Sequence, residues 1–200
     1  MPMKPDTNGA GVSKKLKSEL TDLKGGEVIF VWVPIENSVN SNVEMLRQTL
    51  ELGYKCIYVS LNKDVGSLLQ IYERAGLDTT RILFIDGIAR LYSSALVDAP
   101  NILYVASPLA TEEILETIKK NAAQSPGEKK MVYFDSLTSI LIYNSPEKTD
   151  VFIKKFAELL KKLNAVGIGV SVSIGAHDTR LLEQLRKISN KIIDLTEAAK

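Results

Sequence analysis

Short, almost continuously apolar runs recur along this chain, separated by segments whose apolar residues repeat with helical period, and this alternation limits the possible folds. The runs are Val28–Val33, Cys56–Ser60, Ile82–Ile85, Ile102–Ala106, Met131–Phe134, Gly167–Ile174 and Lys191–Leu195. A strand that is apolar at nearly every position is buried on both sides, as happens when helices cover both faces of a parallel sheet. Helices are predicted near Ser41–Leu52, Val65–Ala75, Thr111–Ala123, Glu147–Leu163 and Asp178–Ser189. Strands and helices in alternation imply right-handed crossovers and an α/β fold, with a doubly wound, mostly parallel sheet and helices on both faces.

Local signals punctuate that pattern. Thr111 reads as an N-cap followed by the first-turn acids Glu112 and Glu113. Gly53 and Gly76 stand where a helix wants a left-handed C-cap. Asp178 reads as the N-cap of the last long helix, with Leu181, Leu182, Leu185 and Ile188 as its buried stripe. Residues 1–13 are polar and contain Gly and Pro, so they are expected to form a disordered arm before a single domain at 14–200. No internal repeat or long linker interrupts the domain, and Asn121–Lys130 reads as a surface loop.

Composition removes several functions. The chain has 25 Lys and Arg against 24 Asp and Glu, a net charge of +1, so binding to nucleic acid through bulk charge is not expected. One Cys and one His exclude a disulfide framework, a cysteine zinc site and a zinc hydrolase built on His ligands. The most apolar early run, Val28–Val33, is far too short for a membrane helix, and residues 1–13 lack the apolar stretch of a signal peptide. A cytoplasmic protein without a membrane partner is expected.

Ligands of a doubly wound sheet bind outside the carboxyl ends of its strands. After the first strand come Pro34-Ile35-Glu36-Asn37-Ser38-Val39-Asn40-Ser41 and a helix, which is the setting of the phosphate-binding loop G-x-x-x-x-G-K-[ST]. Only Ser41 agrees with that motif. Pro34 has no N–H to donate, and Val39 is poorly suited to the left-handed backbone that glycine supplies. Asn40 replaces the lysine aimed at the phosphates, and a lost charge-assisted contact costs about 1.5–3 kcal/mol. Further along, Met131-Val132-Tyr133-Phe134-Asp135 matches a Walker B strand, whose terminal carboxylate helps to hold magnesium.

With these features the chain resembles the RecA/KaiC-like ATPase core, specifically small archaeal KaiC-related proteins. The resemblance is carried by Ile82-Leu83-Phe84-Ile85-Asp86-Gly87, by Tyr104–Glu112, by Phe134–Asn144, and by Ile188–Leu195. It spans about residues 20–195 and implies a P-loop NTPase fold. In active relatives a catalytic glutamate follows the second strand; here that position falls on Asn62 or Lys63, and Asp64 reads as a helix N-cap. Ser171 and Ser173 fall where relatives place a polar sensor of the γ-phosphate, and equally fit a strand with one small-residue face.

The resemblance and its missing parts together imply a pseudo-ATPase that has lost hydrolysis and nucleotide binding, and acts through a protein partner or self-association in regulation or signalling. No catalytic residue and no cofactor are expected. The alternative is a nucleotide sensor or weak ATPase in which Ser38, Asn40, Ser41 and Asp135 contact Mg-ATP, with Ser41 and Asp135 at the magnesium. A recombinase-like DNA-binding role ranks third, because no basic stripe is interleaved with aromatics. His177 reads as a solvent-facing loop residue and Cys56 as a small buried one. The lysines at 14, 15 and 17 and at 154, 155, 161 and 162 are local basic clusters, the second on a helix. A solvated face is the default reading, and a weak patch for an acidic partner is the alternative.

Overall fold

The apolar runs become strands. The computed structural model describes residues 7–92, 96–173 and 186–196. Its strands are β1 (Val28–Pro34), β2 (Lys55–Ser60), β3 (Ile82–Asp86), β4 (Ile102–Tyr104), β5 (Lys130–Asp135), β6 (Ala165–Ser173) and β7 (Lys191–Asp194). They form one sheet in the order β4-β3-β2-β5-β6-β1-β7, with every pair parallel. The helices are α1 (Thr7–Leu20), α2 (Ser38–Glu51), α3 (Val65–Arg74), α4 (Thr111–Ala122), α5 (Leu137–Tyr143) and α6 (Pro146–Leu163). The fold is the doubly wound α/β architecture expected from the sequence.

Alternation along β5 shows how the two faces are filled. Met131 and Tyr133 join the core beneath α1, α2 and α3, with Leu16, Met45, Leu46 and Tyr72. Val132 and Phe134 join the core beneath α4, α5 and α6, with Ile118, Leu137, Phe152 and Phe156. On the second face β6 presents only small side chains. A Cβ on Gly169 would fall 2.0 Å from Leu137 Cδ1, and one on Gly167 would fall 2.4 Å from Leu160 Cδ1. These glycines let α5 and α6 press directly onto the sheet.

The structure departs from the sequence reading in several places. Residues 7–13, expected within a disordered arm, belong to α1, whose Val12, Leu16 and Leu20 are buried at four-residue spacing. That stripe outweighs the low helix propensity of Gly9 and Gly11. Thr111 is the first helical residue of α4, and Ala110 takes the cap position. The loop expected at Asn121–Lys130 is shorter, because α4 runs to Ala122 and β5 begins at Lys130. Gly53 and Gly76 do adopt positive φ, of 82° and 65°. His177, and the predicted helix from Asp178 as far as residue 185, lie outside the described residues. Among the described residues no helix is long and apolar enough to cross a membrane.

Topology positions the site. β2 and β5 are neighbours, but the chain leaves β2 into α3 on one face and β5 into α5 on the other. Such a switch point opens a crevice at the carboxyl ends of the two strands.

Candidate functional site

The exit from β1 is the first difference from a phosphate-binding loop. The sequence suggested an eight-residue turn with a helix from Ser41, but α2 begins three residues earlier, at Ser38, after a 3-10 turn over Ile35–Asn37. The reason is local: no residue of Ile35-Glu36-Asn37-Ser38-Val39-Asn40 is glycine, and none has positive φ. The backbone therefore stays right-handed, and the Ser38 N–H closes onto the Ile35 carbonyl instead of facing a ligand. Ser38 Oγ donates to the same carbonyl at 3.0 Å. Asn40 is exposed on the first turn of α2, whereas Ser41 is only 1% exposed.

Asp135 ends β5 at the switch point, is 5% exposed, and is surrounded by donors. Its Oδ2 accepts from Asn42 Nδ2 at 2.9 Å and from the Tyr58 hydroxyl at 2.5 Å. Its Oδ1 accepts from Asn62 Nδ2 at 3.0 Å. The Tyr133 hydroxyl donates to Asn42 Oδ1 at 2.9 Å, which turns the amide so that its NH2 faces the carboxylate. Tyr58 and Tyr133 are register partners on β2 and β5, with rings stacked 4.9 Å apart. Burial raises the Asp135 pKa above the ordinary carboxylate value, against the bonds from Tyr58, Asn62 and Asn42 and the charge of Lys63, which lower it. Burial and the Asp135 charge push the Tyr58 phenol well above its usual range.

The four residues predicted for nucleotide or metal do not assemble into one site. Ser38 and Asp135 border a shared cavity with Asn42, Asn62, Lys63 and Tyr72, but Asn40 and Ser41 are not among its walls. Its volume is about 60 Å³, whereas ligand pockets run to about 300–1,000 Å³. Such a space suits a few water molecules. A carboxylate has about four lone-pair sites, and side-chain donors fill three at Asp135.

Other carboxylates at this edge are also structural. Asp64 caps α3, accepting from Ser67 N at 2.9 Å and Ser67 Oγ at 2.7 Å, as an N-cap residue should. Asp86 ends β3 and accepts the backbone N–H groups of Val65, Ile88 and Ala89 at 2.7–2.8 Å, fixing the start of α3 and the turn after β3. Ser171 bonds Thr138 Oγ1 at 2.8 Å in the interior and continues the small face of Gly167 and Gly169. The side chain of Ser173 lies outside the described residues.

Sequence reasoning missed Asn42, Tyr58 and Tyr133, and treated Asn62 only as a lost glutamate. A signal did exist. Asn42 sits on the stripe of α2 that buries Met45, Leu46 and Thr49, where an amide needs a partner. Two tyrosines inside apolar strands also need partners for their hydroxyls.

Fold and site together define a doubly wound α/β protein whose switch point is closed by its own side chains. The chain belongs to a family of unknown function (DUF7090), whose model matches residues 56–200. Among solved structures it is similar to the uncharacterized protein PH0321 from Pyrococcus horikoshii, which was determined in complex with an unknown peptide. The TM-score is 0.65 at 16% identity, over 90% of this chain and 82% of that one. No curated protein matches the sequence.

Proposed function

We propose that this chain is a pseudo-ATPase scaffold of the RecA/KaiC-like class that neither binds nor hydrolyses nucleotide and works through protein contacts. The observation that carries the reading is the buried carboxylate of Asp135, three of whose roughly four acceptor sites are taken by Asn42, Tyr58 and Asn62. A magnesium-bound water would be left with one acceptor site or would have to displace a donor, and each charge-assisted bond is worth about 1.5–3 kcal/mol. The 3-10 turn before α2 adds to this, because it commits the Ser38 N–H to the Ile35 carbonyl and Pro34 has no N–H to offer a phosphate.

Support for protein contacts comes from the segments that leave the carboxyl ends of the strands. They expose Ile35 and Val39 after β1, Tyr92 after β3, Leu109 after β4, and Ile142 and Tyr143 on α5. Apolar residues exposed singly are ordinary, and what supports a partner here is that these all follow the carboxyl ends of the strands. The peptide bound to PH0321 is in keeping with such a use of the fold.

The test is thermal unfolding and phosphate release by the full chain with magnesium and ATP, ADP or GTP. No hydrolysis and no nucleotide-dependent shift are expected. A nucleotide bound at 100 times its dissociation constant would add about 2.7 kcal/mol and raise the midpoint by about 5–11 °C. Magnesium-dependent hydrolysis that disappears in Asp135→Ala would overturn the reading.

A further inference from the structure

Among the described residues two hydroxyls are buried without a hydrogen-bond partner in the protein, those of Thr149 and Tyr72. Thr149, on α6, does not border the cavity beside Asp135. Tyr72, on α3 and only 1% exposed, is one of its walls. A buried hydroxyl has given up its hydration, so the interior normally returns a partner to it.

The protein neighbours of Tyr72 do not supply one. Tyr58 stands edge-on to it, with ring centroids 6.1 Å apart. Burial raises the Tyr72 pKa, Tyr58 draws it back, and the charge of Asp135 raises it further. The Tyr58 hydroxyl gives its proton to Asp135 Oδ2, however, and no hydrogen bond joins the two phenols. Leu68, Ile71 and Val172, also walls of the cavity, have no polar side-chain atom to offer.

Asp135 has the opposite shortage. Its Oδ2 accepts two side-chain donors, from Asn42 and Tyr58, whereas Oδ1 accepts one, from Asn62. With about two lone-pair sites on each oxygen, the acceptor left over is on Oδ1. A donor without an acceptor and an acceptor without a donor therefore border one space of about 60 Å³. A bound water needs about 10–15 Å³ and two to four polar partners, and a cavity walled by Ser38, Asn42, Asn62, Lys63 and Asp135 is not one that stays dry.

We propose that the switch-point cavity is a hydration site, in which an ordered water accepts from the Tyr72 hydroxyl and donates to Asp135 Oδ1. The last acceptor site of the carboxylate is then taken by solvent that the fold itself binds. The inference rests on the cavity and its walls, and holds whether or not a nucleotide binds elsewhere on the protein.

The experiment is a crystal structure of the full chain, alone and soaked with Mg-ATP, at a resolution that shows ordered water elsewhere in the molecule. Thermal unfolding of the wild type, Tyr72→Phe and Thr149→Val accompanies it. A water within about 2.6–3.2 Å of both Tyr72 Oη and Asp135 Oδ1 is expected in both crystals. Tyr72→Phe removes a bonded hydroxyl with little change of shape and should lower the unfolding midpoint by about 1–6 °C. Thr149→Val removes a hydroxyl that has no bridge to lose and should not lower it. A cavity without water, or a Tyr72→Phe midpoint that stays level or rises, would overturn the proposal. So would an equal fall in Thr149→Val, because an unbonded hydroxyl would then be worth as much as a bridged one. A magnesium ion or phosphate oxygen in the place of the water would overturn the pseudo-ATPase reading as well, whereas a dry cavity would overturn this proposal alone.

Discussion

At the carboxyl edge of the sheet the buried charge is Asp135, and Asn42, Tyr58 and Asn62 supply it with donors; at the amino edge the buried charge is Lys130, which bonds the Glu128 carbonyl and acts by charge on the Glu128 carboxylate. The first charge has three side-chain donors, and the space beside it is about 60 Å³. The second leaves donors over and has about 220 Å³ beside it. In open α/β sheets the carboxyl edge is the usual place for ligands. Here polar side chains of the protein itself fill much of that edge around Asp135.

The largest expected effect separates the two charges by stability. Asp135→Ala orphans the donors of Tyr58, Asn42 and Asn62, two of them on buried residues, and should cost about 3 kcal/mol. For a chain of this length that is a fall of about 6–12 °C in the unfolding midpoint. Lys130→Met breaks one bond to a carbonyl and keeps an apolar stem, so it should change stability by about 1 kcal/mol or less. Urea denaturation of both variants checks this. Equal costs would mean that Lys130 is as fully committed to the fold as Asp135, and the contrast would collapse.

That contrast was only partly legible in the sequence. The strands could be read because each is covered on both faces, so burial is written as a continuous apolar run, as in Val28–Val33 and Met131–Phe134. Asp135 and the broken loop motif could be read for the same reason, being fixed relative to a strand end. The closure of Asp135 could not. Its donors come from α2, from β2 and from the residues after β2, and only the strand order sets β2 beside β5. The amino-edge cations are likewise scattered at 55, 81 and 130, and become neighbours only through register. Helix α5 was missed because seven residues of Leu137–Tyr143 give too short a periodic signal.

A smaller effect sharpens the description of the closed site. The Asp135 pKa is raised in the folded chain, so the folded state holds this proton more tightly than the unfolded chain does. The stabilisation from that proton is complete below the ordinary carboxylate value of about 3.9 and is lost as pH rises through the folded value. Asp135→Asn removes the titration while leaving an oxygen to accept from Tyr58 and Asn42. The difference in unfolding free energy should therefore move in favour of the wild type as pH falls from 7 towards 4. Asp64, Asp78 and Glu128, whose values are lowered, act in the opposite direction in both proteins and cancel from the difference. A difference that moved towards the variant would mean that the three donors hold the carboxylate ionised despite its burial.

The smallest expected effect is the one that most directly opposes sequence to structure. Asn40→Lys restores the lysine of the phosphate-binding motif, and on sequence grounds alone it should recover part of the lost nucleotide affinity. The structure gives two reasons why it should not. Residue 40 lies exposed within a helix that already began at Ser38, so a lysine there is not held against a phosphate cradle. Pro34 also supplies no N–H, and the Ser38 N–H is spent on Ile35. A charge added on an exposed helix turn, beside a Pro34 and a Ser38 that offer no donor, gains the energy of a surface ion pair, about 0–1 kcal/mol. The thermal midpoint of Asn40→Lys with millimolar Mg-ATP should therefore stay within about 2 °C of its value without nucleotide. A rise of about 5 °C or more that is lost on adding Asp135→Asn would show that the turn can reopen around a phosphate. The carboxyl edge would then be a dormant site whose donors around Asp135 yield to a ligand.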